Sequence, residues 1–170
     1  MNTFLKTSII AIIFFNSNHA FSQLTTFDFE NYEFNSEEQI NAAKQDVLSV
    51  ANLLLEAPIN NNKEVRMDAG YFLSEWMSET NNYNFGTGTL KEIFDDKIEL
   101  AIISMAAQVK YCIENNATNS YDYETRLGIW KIITTYVENS KNKVRSTKKI
   151  KQLIKAKKEN KLAEFLEANE

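Results

Sequence analysis

From Ser36 to the C-terminus the chain carries a single proline, Pro58, and between its asparagine-rich patches apolar residues recur at three- and four-residue spacing rather than in strict alternation. A strand alternates with period two and a helix with a period near 3.6, so the pattern is all-α. The expected architecture is a single-domain antiparallel helical bundle of about five to six helices. Expected helix starts near 36, 62, 89, 120 and 147 are evenly spaced, which keeps a short α-hairpin repeat stack as the alternative, although no residue signature recurs at that interval.

The boundaries follow from capping chemistry. Ser36-Glu37-Glu38-Gln39 is a capping box: the hydroxyl accepts from an orphan amide while Gln39 reaches back. Ile40, Ala43, Val47, Ala51 and Leu54 then form one stripe that Pro58 terminates. Asn62 caps a second helix with Val65, Ala69, Phe72, Leu73 and Trp76 inward. Thr89-Leu90-Lys91-Glu92 repeats the box and opens a third helix reaching about Glu114. Its broad apolar face, Phe94 through Ile98, Ala101, Ile102, Met105 and Val109 to Cys112, marks it as the central element. A fourth helix spans about Tyr121 to Asn139. In the last thirty residues Ile150, Leu153 and Ile154 share one side, whereas Leu162, Phe165 and Leu166 sit about 100° round the axis, so a break is expected near Lys158-Glu159-Asn160.

Residues 1–22 read as a secretory signal peptide: Lys6 closes a positive n-region, Ile9 to Phe15 is apolar, and Ala20 and Ser22 are small residues before a cleavage ahead of Gln23. The apolar run is far below the ~20 residues of a membrane span, so the expected location is exported, periplasmic or secreted, with no transmembrane anchor after cleavage. Residues 23–35 are an extended N-terminal arm whose Phe27, Phe29, Tyr32 and Phe34 pack onto the body, and 36–170 form the helical domain, with basic C-terminal helices from about 141. Cleavage leaves 148 residues, enough to bury ~68–70% of the unfolded surface without disulfide or structural metal.

Chemistry is bounded by what is missing. His19 leaves with the signal, so the remaining chain has no histidine, and its one cysteine, Cys112, forms no intrachain disulfide. Without imidazole, Cys112 lacks a base and lies on an apolar stripe with Met105 and Val109, where a buried inert thiol is expected. Asp95, Asp96 and Glu99 lack the Glu-x-x-His partners of carboxylate-bridged metal bundles, so no cofactor or metal is expected. The stretch FGTGTLKE has Lys91 where a dinucleotide fingerprint needs its third glycine, and it lacks the Walker spacing. Its glycines are therefore read as a turn between helices.

Two surfaces remain as candidates. Glu75, Trp76, Glu79, Tyr83 and Phe85 cluster acids with aromatics beside the glycine turn, a composition suited to a carbohydrate or a cationic ligand, although Trp76 reads first as a core anchor with Tyr83 and Phe85 covering the end of the bundle. Residues 23–140 carry a net charge of −11 and residues 141–170 a net +6, so Lys148, Lys151 and Lys155 form a candidate anion-contact surface. Phe165 is the only aromatic after Tyr136, which argues against a nucleic-acid platform. The expected function is noncatalytic: a binding or interaction module engaging a protein or envelope component. Two other readings stand beside it, a carboxylate-dependent glycan hydrolase using Glu75 and Glu79 one helical turn apart, and a helical-repeat peptide-binding adaptor.

Overall fold

The computed structural model of the chain describes residues 24, 26–86, 93 and 97–169. Among these, seven α-helices and two 3-10 turns follow one another and no strand occurs: a turn at Phe29–Asn31, α1 (Glu37–Ala42), α2 (Lys44–Glu56), α3 (Lys63–Glu79), α4 (Ile98–Asn115), α5 (Tyr123–Glu138), a turn at Ser140–Asn142, α6 (Lys148–Lys158) and α7 (Leu162–Glu167). The fold is all-α with antiparallel packing between neighbouring helices, as the periodicity indicates.

Local chemistry accounts for most boundaries. Ser36 Oγ accepts from the Gln39 amide at 3.3 Å. Gln39 Oε1 reaches back to the Asn35 amide at 3.1 Å, one residue before the cap. Asn62 caps α3 through the Val65 amide, and Thr147 caps α6 through the Ile150 amide at 3.2 Å. The break between α6 and α7 falls at the Lys158-Glu159-Asn160 site: Asn160 turns left-handed at φ 57°, and the Lys161 amide closes onto Ala156 O at 2.8 Å.

Two boundaries differ from expectation. The first helix is divided at Ala43, which closes α1 and opens α2 with φ −73° and ψ −12°, and this raises the helix count. The third helix does not run unbroken from Thr89, because Lys97 is extended at φ −77° and ψ 115° and α4 begins at Ile98. Lys97 O instead accepts the amides of Leu100 and Ala101, making Lys97 the residue that opens the helix. The capping box at Thr89–Glu92, together with Phe94, Asp95 and Asp96, lies outside the described residues, as does the signal segment Met1–Ser22.

Helix α4 is the central element. Ile102, Ala106 and Val109 on one side pack into a core with α1, α2, α3 and the N-terminal arm, around Leu24, Phe34, Val47, Leu54, Phe72 and Trp76. Leu100, Ile103, Ala107 and Cys112 on its other side pack with α5, α6 and α7, around Ile129, Trp130, Ile133, Ile150, Leu153 and Leu166. Ile98 and Ala101, expected on the apolar face, are exposed. With two cores to fill, the helix turns buried stripes both ways, and only a narrow strip meets water. No described helix is long and apolar enough to cross a membrane.

The chain between α3 and α4 is held from a distance. Asn84 pairs with the loop after α4, its amide donating to Thr118 O at 2.7 Å and its carbonyl accepting from Ser120 at 2.9 Å. Gly86 N then donates to Ser120 Oγ at 2.8 Å and to Gln108 Oε1 at 3.2 Å. A Cβ on Gly86 would overlap the Tyr121 ring, so this glycine is required by close approach to an aromatic face.

Candidate functional site

The N-terminal arm lays four aromatic rings round one side chain of α3. Phe27, Phe29, Tyr32 and Phe34 surround Phe72 with centroid distances of 5.5, 5.6, 4.9 and 5.7 Å. These are the tilted and edge-on geometries that aromatic quadrupoles favour, each adding to the apolar burial. Tyr32 Oη also donates to Asp46 Oδ2 at 2.8 Å, which fastens the arm to α2. Burial, reinforced by Asp46 and then Asp28, pushes the Tyr32 hydroxyl up to about 12, so it stays a donor throughout the physiological range.

Between this arm and α3 runs a groove of about 460 Å³. Its aromatic floor includes Phe29 and Phe72, and Asp28, Glu30, Asp68 and Glu75 bring four exposed carboxylates to it. Tyr71, 65% exposed, stands in it as its most open ring. A second depression of about 430 Å³ shares Glu30 and Tyr32 and adds Glu33 and Asp46. Aromatic faces framed by carboxylates suit an ammonium or guanidinium group, which gains from the ring quadrupole and from the anionic field together.

The sequence-stated ligand surface is divided by this arrangement. Trp76, Tyr83 and Phe85 do come together, with centroids 5.6 to 6.1 Å apart, and Lys44 Nζ lies 5.4 Å over the Tyr83 ring. Trp76 is buried at 1% exposure and is spent on the core. Glu75 and Glu79 are both exposed, but the groove takes Glu75 and not Glu79. The hydrolase reading needs both carboxylates on one concavity, an arrangement the groove does not provide.

Lys148, Lys151 and Lys155 are exposed along α6, as expected of an anion-contact surface. Lys148 also lines a depression of about 440 Å³ with Lys149, Gln152, Phe165 and Asn169, where Lys149 Nζ donates to Asn169 Oδ1 at 2.6 Å. Lys157 and Lys158 are engaged with Glu138 of α5 at 3.0 and 3.1 Å, and the two ammonium groups hold that carboxyl below the usual range.

Two features escaped the sequence reading. The groove joins residues some forty positions apart; its local signal is the alternation of aromatics with acids in Phe27-Asp28-Phe29-Glu30-Asn31-Tyr32-Glu33-Phe34. Arg66 is 1% exposed, and its Nη1 donates to Leu54 O and Pro58 O at 3.4 Å each, while Nε and Nη2 have no hydrogen-bond partner among the described residues. Burial lowers its pKa, opposed by Tyr136 and Glu99. The guanidinium sits against the Leu54 carbonyl in the last turn of α2, the negative end of that helix, and against Pro58 O just beyond it, so it helps to close α2. Among the described residues no group of histidine, cysteine or acidic side chains is arranged to hold a metal ion. No protein-family model, curated protein or solved structure matches this chain.

Proposed function

We propose that the protein is an exported, noncatalytic binding module whose acid-framed aromatic groove between the N-terminal arm and α3 receives a cationic segment of a protein or envelope partner. The observation that carries this reading is the convergence of Asp28, Glu30, Asp68 and Glu75 on one groove with the open ring of Tyr71. The groove's ring cluster is braced by the Tyr32–Asp46 hydrogen bond, so the binding surface exists before a ligand arrives and little ordering entropy opposes association. Export is supported by the signal-like pattern of residues 1–22.

Calorimetric titration with a short lysine-rich peptide, beside a glutamate-rich control, tests the reading. Binding of the basic peptide alone is expected, weakening steeply with salt. The double substitution Asp68→Asn, Glu75→Gln should reduce affinity roughly tenfold, because each exposed charge is worth up to about 1 kcal/mol. Equal binding of both peptides, or affinity indifferent to the substitutions, contradicts it.

A further inference from the structure

The acidic groove and the basic face of α6 match each other in charge and in spacing. On α3, Asp68 and Glu75 lie seven residues apart with exposed Tyr71 between them. On α6, Lys148 and Lys155 lie seven residues apart and both are exposed, as is Lys151 between them; Lys155 makes an exposed pair with Glu159 at 3.7 Å, and Lys158 is held by Glu138. Seven residues of helix rise about 10 Å, so the ammonium groups of Lys148 and Lys155 match the spacing of the Asp68 and Glu75 carboxylates when the helices lie alongside, Lys155 exchanging its exposed pair with Glu159 for the second carboxylate.

Within one molecule the two faces belong to helices of different cores. The arm and α3 belong to the core on one side of α4, and α6 and α7 belong to the core on its other side. None of the ion pairs between described residues joins α6 to α3 or to the arm. Asp68 and Glu30 lie in no ion pair with a described residue, and neither does Lys148.

We infer that the cationic segment received by the groove is α6 of a second copy of this chain, so that the protein associates head to tail. The inference rests on the groove reading and names its occupant. A second copy satisfies both charged faces at once, whereas an anionic membrane facing α6 would be repelled by the net −11 of residues 23–140 and would leave the groove unused. A contact between two different faces is heterologous: unless its rotation closes a ring, it adds further copies without limit.

Sedimentation velocity of the exported form, its N-terminus verified by intact mass, tests this at about 0.01 M and about 1 M salt, where the screening length falls from roughly 30 Å to roughly 3 Å. At low salt the mass is expected to rise with concentration past that of a dimer, or to settle at a closed ring, and to return to monomer at high salt. Asp68→Asn, Glu75→Gln removes the groove's partner charges, and Lys148→Gln, Lys151→Gln, Lys155→Gln removes the tail's. Each variant alone should be monomeric, and an equimolar mixture should stop at a one-to-one dimer, because it contains one intact face of each kind. A monomer at every concentration in low salt overturns the inference, as does association that persists in both variants. Monomeric protein that sediments with phosphatidylserine vesicles through the α6 lysines overturns it too and assigns that face to membranes. If the monomer still binds the lysine-rich peptide, the groove reading survives; if it binds neither, both fall.

Discussion

Trp76 Nε1 donates to Ile40 O at 2.9 Å across thirty-six residues of sequence, fixing α3 against α1 where both side chains are buried. That bond satisfies an indole N–H that would otherwise be stranded in the core beneath Tyr83 and Phe85. Trp76→Phe keeps most of the ring but deprives the Ile40 carbonyl of its donor. The expected loss is about 1–3 kcal/mol, read from urea unfolding, on top of the reduced ring volume. Unchanged stability would show that the bond is not formed in solution.

Cys112 should be slow to label in the folded protein and fast after unfolding. Burial pushes its thiol up to about 11 from an ordinary 9.0, so the folded state keeps the proton longer than the unfolded state does. The sign is then fixed: the stabilising effect is complete below pH 9 and is lost as pH rises toward 11. The loss is at most about 3 kcal/mol, and Cys112→Ala should flatten that part of the profile. Native-state labelling as fast as that of a free peptide would contradict the burial.

The basic C-terminal segment should be part of the core and not an appendage. Ile150 and Leu153 are 1% and 0% exposed, so Leu153→Ala is expected to cost about 2–5 kcal/mol through lost burial and a residual cavity. Neutralising Lys148, Lys151 and Lys155 should change stability by less than about 0.5 kcal/mol, since exposed charges act weakly. A truncation after Ser140 that melted at the full-length temperature would remove the claim.

Glu138 links α5 to α6 through Lys157 and Lys158, and its carboxyl is held below the ordinary value. Stability from this link is present above the ordinary carboxylate pKa and declines as pH falls through the lowered folded value. In acid titrations followed by circular dichroism, Glu138→Gln should remove that decline and leave the alkaline limb untouched.

The sequence disclosed those parts of the fold that local chemistry decides. Ser36, Asn62 and the break at Glu159-Asn160 lie where capping and periodicity put them, and the broad apolar face of the third helix marks α4 as central without showing that it faces two cores. What it concealed depends on distant contacts. Nothing local distinguishes Ala43 or Lys97 as a break. The pairing of Asn84 with Asn119 spans two loops. Arg66 looks like any surface arginine until the carbonyls of Leu54 and Pro58 close over it. The candidate site is half legible: its acid-and-aromatic composition shows around Glu75 and Trp76. The centre of the groove lies instead where the arm folds over Phe72, a contact that periodicity does not encode.

The groove reading is tested most directly by mapping amide chemical shifts while the lysine-rich peptide is titrated into the isotopically labelled Lys148→Gln, Lys151→Gln, Lys155→Gln variant, whose groove no second copy occupies. The expected shifts are confined to Phe27–Tyr32 and to Asp68, Tyr71 and Glu75, and Tyr71→Ala should weaken them. Shifts centred on α6 or on the Trp76–Tyr83–Phe85 cluster, or none at saturating peptide, would contradict the account.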